Sequence, residues 1–173
     1  AEAAGTLLTC ARDVKVQVEV NPGRVASYRL IGYENRAMPD EHFADDAKDG
    51  GEMGCGQSVT ALYELVPVDA STSAAAAPLR YQSRQATEPA WSSELMHVKL
   101  RWKLPEDDRS DELEAPVLDE RVTFGSATDD LRWSAACAAF AMLLRGSEHA
   151  GRLTWPELER LATAAAGRDE DGR

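Results

Sequence analysis

The chain has 173 residues, 43% hydrophobic and 28% charged, with 30 acidic against 19 basic side chains and a formal charge of -11. That length suits one ordinary domain with a core of its own, and the acidic balance repels phosphate backbones and anionic lipid surfaces, which argues against nucleic acid as a partner. No apolar run approaches the roughly 20 residues needed to span a bilayer, so no membrane-spanning segment is expected in this stretch.

The opening residues, AEAAGTLLTCARDVK, have no initiator Met and no basic segment ahead of an apolar one, and read as the interior of a longer polypeptide. Gly5 to Arg12 has the character of a helix end. Val14, Val16, Val18 and Val20 then alternate with Lys15, Gln17 and Glu19, the period of a half-buried strand. Asn21-Pro22-Gly23 supplies a turn, and Ala26 to Tyr33 is rich in aromatic and branched residues, so the two runs predict a hairpin. Between Asn35 and Gln57 the chain is acidic and glycine-rich, a long surface loop carrying Asp40, Glu41, Asp45, Asp46, Asp49 and Glu52. Ser58 to Val68 predicts a core strand that ends at Pro67. Asp69 to Pro78, DASTSAAAAP, is a small-residue, low-complexity excursion, followed by a short edge strand over Leu79 to Gln82.

Glu94 to Leu104 is the cleanest alternation in the chain, with Met96, Val98, Leu100, Trp102 and Leu104 on one face and His97, Lys99, Arg101 and Lys103 on the other. The apolar side is expected to pack and the basic side to be solvated or docked. Leu113 to Phe124 supplies one more strand. The period then changes: Trp133, Ala136, Cys137, Phe140 and Leu144 fall at helical spacing, Ser126 with Asp129 fits a capping box, and Gly146 suits the C-terminal cap. A second helix starts from Thr154, with Glu157 completing a capping box, Pro156 in the first turn, and Leu158, Leu161 and Ala165 on its inner face. Strands followed by helices predict the α+β class, a mainly antiparallel, β-sandwich-like sheet with C-terminal helices packed against it, as one domain over residues 13–167 with a frayed charged tail over 168–173.

Several short patterns imitate chemistry. Asp69, Ser71 and Ser73 spell D-x-S-x-S, an oxygen-ligand triplet able to begin an octahedral Mg²⁺ site when a strand-to-helix loop and two distant loops converge on it. Pro67 breaks the strand just before it and an alanine run replaces the helix, so no metal site is expected there. The acidic loop Asp45 to Glu52 lacks the Glu that an EF-hand needs at its twelfth position, where Gly56 stands. Ser58, in Gly56-Gln57-Ser58-Val59-Thr60, is one glycine short of a nucleophile elbow, and loop followed by strand is the reverse of the order a serine hydrolase requires. His42, His97 and His149 have no ligand spacing and read as surface histidines. Gly51, Gly54 and Gly56 lack the Lys-Ser/Thr of a phosphate loop. Cys10, Cys55 and Cys137 are odd in number with no CxxC, and read as three reduced or buried thiols rather than as a disulfide such as Cys10 to Cys55. The basic stripe His97, Lys99, Arg101 and Lys103 remains as the candidate interaction surface, complementary to an acidic patch in this chain or in a neighbouring domain.

Three segments carry a resemblance: GGEMGCGQSVTALYELVPV (Gly50 to Val68), DVKVQVEVNP (Asp13 to Pro22) and SYRLIGYENR (Ser27 to Arg36), joined by DDLRWSAACAAFAMLLRGSEHAG (Asp129 to Gly151). Together they resemble the C-terminal region, itself of unknown function, of bacterial proteins built around a von Willebrand factor type A domain. The resemblance implies that a metal-binding type A domain precedes this region, that residues 1–12 are the tail of that domain's last helix, and that the parent protein is exported and envelope-associated. It supplies no catalytic residues. Cys55 inside the glycine loop and a longer insertion over Asp69 to Ala90 depart from the pattern. The expected function is therefore a non-enzymatic accessory domain, without a cofactor of its own, whose partners are proteins, including the upstream type A domain. Metal-dependent adhesion through Asp69, Ser71 and Ser73, and a cryptic hydrolase using Ser58, are the alternatives.

Overall fold

The computed structural model describes residues 8–32, 39, 42–68 and 87–167. The chain is of the α+β class, with antiparallel sheets followed by two C-terminal helices. The strands, up to Asp119, form one compact unit; the segment from Glu120 onward, with the short pieces Leu30–Gly32 and Thr60–Leu62, forms a second.

Among the described residues there are six strands: β1 (Thr9–Val20), β2 (Val25–Ile31), β3 (Gly51–Gly54), β4 (Leu62–Pro67), β5 (Glu94–Lys103) and β6 (Ser110–Leu118). Four of them make an antiparallel sheet in the order β3-β1-β5-β6, and β2 pairs with β4. The start of β2 meets the end of β4, where the Val68 N–H donates to the Arg24 carbonyl at 2.8 Å, and Arg29 pairs with Glu64 further along. Pro116 sits in β6, an edge strand, where a missing N–H costs no ladder bond.

Several expectations change. Residues 9–12 are strand rather than helix end, because Arg12 pairs with Lys103 across the sheet and Cys10 is held beside β3. β1 and β2 do not form a hairpin. Lys15–Val20 of β1 pair with β5, β2 pairs with β4, and Asn21 keeps the corner fastened to β5: its N–H donates to the Leu95 carbonyl at 2.9 Å and its side-chain amide to the Glu94 carbonyl at 2.7 Å. The acidic loop contains a strand, β3, of only four residues. Finally, Cys10 and Cys55 form a disulfide, with a Cα separation of 5.1 Å, rather than remaining thiols. The pairing of Thr9 with Gly54 puts the two cysteines side by side, and the Cys55 N–H donates to the Leu8 carbonyl at 2.8 Å. The expected strand over Leu79 to Gln82 lies outside the described residues.

The second unit holds α1 (Asp129–Leu144) and α2 (Trp155–Ala165). The α1 cap is Thr128, whose hydroxyl accepts from the Leu131 N–H, and not Ser126, which closes a short 3-10 turn ahead of it. Gly146, at φ 60°, ends the helix in the left-handed conformation that glycine adopts without a Cβ penalty. The contact between the helices is small-residue: Ala136 and Ala139 of α1 meet Leu158 of α2, with Leu143, Leu153, Leu161 and Ala162 around them. Trp133, Phe140 and Leu144, which mark the helical spacing in the sequence, are 47%, 49% and 62% exposed.

At the start of α2 the capping box forms as expected, with both the Thr154 N–H and its hydroxyl donating to the Glu157 carboxylate, at 2.9 and 2.7 Å. Pro156 stands where no intrahelical donor is needed. Thr154→Ala is expected to lower unfolding free energy by about 1 kcal/mol in urea denaturation while Thr154→Ser keeps it, and equal midpoints for all three would show that the box carries no stability.

Candidate functional site: the charged face of the sheet

Registry across β1, β5 and β6 separates polar from apolar residues completely in the middle of the sheet. Gln17, Lys99 and Glu114 form one cross-strand row and Lys15, Arg101 and Glu112 the next. Alternating with them are the apolar rows Val16–Leu100–Leu113 and Val18–Val98–Ala115, which belong to the opposite face. Alternation in β6, Glu112 and Glu114 with Leu113 and Ala115, matches that in β5, so Lys99 faces Glu114 and Arg101 faces Glu112 across the ladder.

At one end the ladder is broken by a bulge in β1, where Asp13 and Val14 are inserted between the paired Arg12 and Lys15. Asp13 has φ 54°, a left-handed conformation that Asp tolerates better than most residues. The bulge brings its carboxylate beside two cations: Oδ1 lies 3.1 Å from Lys15 Nζ and Oδ2 lies 3.1 Å from Lys103 Nζ. Asp13 is buried, and the Lys15 side chain is only 1% exposed. A buried ammonium needs this pairing and more, and Lys15 also donates to the Asp45 carbonyl at 2.8 Å.

The acidic loop provides the rest of the cover. Asp46 Oδ1 accepts from Ser110 Oγ at 2.7 Å and from Arg101 Nη2 at 3.0 Å, and lies 3.7 Å from Lys103 Nζ. Gly50 makes the close approach possible: a Cβ there would sit 2.8 Å from both the Asp13 carbonyl carbon and the Val14 oxygen. Toward the other end, Glu114 receives Lys99 at 3.1 Å and His97 at 3.0 Å. A cleft of about 290 Å³ opens there, lined by Glu19, Asn21, Glu94, His97, Lys99 and Glu114.

These contacts shift titration consistently. Hydrogen bonds from Lys99 and then His97 hold the Glu114 carboxyl below its usual range, and the same Glu114 bond raises Lys99. Asp46 is lowered first by the Ser110 hydroxyl and then by Arg101. For Asp13 burial works against the charged form, yet the bonds from Lys103 and Lys15 prevail and lower its pKa. The arrangement is a neutralised ionic lattice. It fixes register and holds a loop in place, and the four bases His97, Lys99, Arg101 and Lys103 are committed to acids of their own chain.

The alternation in β5 predicts a packed apolar side and a basic side that is solvated or docked; the basic side meets Asp46, Glu112 and Glu114 of the same chain, and on the apolar side Val16 and Leu113 are each 57% exposed. The remaining candidates do not join the site. Asp69, Ser71 and Ser73 lie outside the described residues. Ser58 is exposed in the coil before β4, which begins at Leu62. His42 lies in the acidic loop, His149 in a short turn between the helices and His97 on β5. Among the described residues no group of three or more His, Cys, Asp or Glu side chains is placed to hold a metal ion, and no helix is long and apolar enough to cross a membrane.

Comparison with known proteins bears on the whole of this sheet-and-helix arrangement. The chain is 37% identical over 167 residues to the uncharacterized protein YfbK of Escherichia coli (strain K12), an alignment covering 96% of this chain and 28% of that protein. The chain therefore spans well under a third of the length of that curated relative. No solved structure matches it. A family model described as the C-terminal part of uncharacterized protein YfbK matches residues 5–173, and the chain belongs to that family of YfbK C-terminal domains.

Proposed function

We propose that this domain is a non-enzymatic interaction module of an exported, envelope-associated protein, and that it receives a preceding von Willebrand type A domain of the same polypeptide on the apolar face of its four-stranded sheet. The observation that carries this reading is the row Val16–Leu100–Leu113, registered across three strands and open at both ends, with 57% exposure at Val16 and at Leu113. Val18, Val98, Val20, Met96 and Val117 continue the same face, only half-buried. A contiguous apolar face of this kind marks an interaction surface when the opposite face is already closed by its own charges. Membership of a C-terminal family, coverage of 28% of the relative, and the segments resembling type A domain proteins support a partner in the same chain. The Cys10–Cys55 disulfide supports an oxidising location.

The test is calorimetric titration of this chain with the separately produced remainder of its full-length polypeptide. One-to-one binding is expected, weakened by about tenfold or more in Val16→Asp with Leu113→Asp. Absence of binding, or binding indifferent to both substitutions, would overturn the proposal.

A further inference from the structure

The two edges of the four-stranded sheet are not alike. The β6 edge is closed to a further strand, because Pro116 has no N–H to offer and Glu112 and Glu114 set two acids along it. On the opposite side, among the described residues, β3 is the strand beside β1, and it reaches only to Val14, which pairs with Gly51. The chain ahead of Gly51 lies over the polar face instead, where Asp45 and Asp46 meet Lys15 and Arg101. From Lys15 to the turn at Asn21 the outer edge of β1 is open. Hydrogen-bond parity says which groups line it. Asn21 donates its N–H to Leu95 of β5, so Lys15, Gln17 and Glu19 aim their peptide groups at β5, while Val16, Val18 and Val20 aim theirs away from it. No described residue pairs with those three valines on the outer side. A row of free N–H and C=O groups of this kind templates another strand.

The stretch is complementary to itself. A second copy of β1 related by a twofold axis perpendicular to the sheet runs antiparallel and keeps valines beside valines, whereas a parallel copy turns its polar face to this copy's apolar side. With the axis at Val18, Val18 faces its own counterpart and Val16 faces Val20, so the opening between β3 and the turn is filled from end to end. An axis at Gln17 brings Val20 of the second copy onto Val14, which Gly51 already holds, and an axis at Glu19 sets the two Glu19 carboxylates face to face. On the polar face the Val18 register places Gln17, with Lys99 on its other side, opposite Glu19 of the second copy. Lys15, whose ammonium is held by Asp13, stands opposite Asn21. The two Glu19 residues meet only on the diagonal, each with its own His97 behind it. No acid is directly opposite an acid and no base opposite a base. We propose that the open edge of β1 is the seam of a homodimer, paired antiparallel about Val18 so that two four-stranded sheets become one. The seam uses backbone groups of the edge and leaves open the apolar face assigned above to the preceding domain.

Amide hydrogen exchange reads the seam directly. The Val16, Val18 and Val20 amides are expected to exchange freely at about 1 µM and to slow by about tenfold or more at about 200 µM, in step with a monomer-to-dimer shift in sedimentation. The Lys15, Gln17 and Glu19 amides, bonded to β5, should be protected at both concentrations. Val18→Pro removes an outward donor and no bond to β5, and should weaken the dimer by about tenfold or more with unchanged far-ultraviolet circular dichroism. Gln17→Glu, which sets acid against acid across the seam while facing Lys99 in its own chain, should weaken it by about threefold. Leu113→Asp, on β6, should leave the dimer intact, and Gln17→Glu should leave titration with the remainder of the polypeptide unchanged, so failure of the seam is distinguishable from failure of the docking proposal. A monomer at both concentrations, a dimer whose three valine amides stay unprotected, or one indifferent to both Val18→Pro and Gln17→Glu overturns the seam. Protection already complete at about 1 µM, or gained only with the remainder of the polypeptide, gives the edge to another segment and overturns it as well.

Discussion

Reduction of Cys10–Cys55, or its replacement by two serines, is expected to lower the unfolding free energy by about 3 to 4 kcal/mol, read as a shift of the denaturant midpoint at constant slope. The bond joins residues 45 apart in sequence, and loop-closure entropy for a loop of that size gives the upper figure. The local structure makes the full effect plausible. β3 has four residues, two of them glycine, and its ladder to β1 is interrupted twice, so little else holds it. Because β3 anchors the end of the loop whose Asp45 and Asp46 close over Lys15 and Arg101, loosening it also exposes the ionic lattice. Under denaturing, nonreducing conditions one thiol per chain should titrate, rising to three after reduction. Three before reduction, or coincident midpoints for oxidised and reduced chain, would refute the expectation.

Much of the fold was legible where one signal dominated. β5 was readable almost to the residue because Met96 to Lys103 alternates without interruption, and α2 because Thr154, Pro156 and Glu157 are start signals that depend only on their neighbours. β3 was not, since Gly-Glu-Met-Gly has no period and exists as a strand only because β1 lies beside it. The hairpin failed for a related reason: Asn21-Pro22-Gly23 specifies a turn but not which strand the next one pairs with, and β2 pairs with β4. Alternation likewise tells that a strand has two faces and leaves open which one is covered. Here Gly50, the Asp45 and Asp46 carbonyls and the Asp46 carboxylate close over the polar one. In α1 the helical spacing did not tell which residues meet α2, and it is the small Ala136 and Ala139 that pack against Leu158. Within the site, the complementarity of Glu112 and Glu114 to the basic stripe was in plain view in the sequence, whereas Asp13 was hidden by the bulge that aims it.

Asp13→Ala is expected to cost about 3 kcal/mol, the low end for breaking a buried ion pair, because it strands Lys15 at 1% exposure while leaving Lys15 the Asp45 carbonyl and Lys103 the Asp46 carboxylate. Asp13→Asn should lose less, since Asn also accepts φ 54° and keeps a hydrogen-bond acceptor. Removing both charges in Asp13→Asn with Lys15→Met should recover most of the loss, because the penalty lies in the uncompensated ammonium and not in the absence of a salt bridge; the double-mutant cycle measures that coupling. The pH dependence has a definite sign. Asp13, Asp46 and Glu114 all have folded pKa values below their ordinary 3.8, 3.8 and 4.5, so their contribution is complete above those values and is lost as pH falls through the lower folded ones. Lys99 and Lys103 are raised above 10.5, so theirs is complete below 10.5 and lost only in strong alkali. Stability from denaturant titrations should thus be level on this account between about pH 6 and 9 and fall below about pH 4.5, less steeply in Asp13→Asn than in the parent. Identical acid slopes for the two proteins would show that Asp13 is not held ionised by its lysines, and the lattice would then be a surface ornament and not the element that fastens the acidic loop to the sheet.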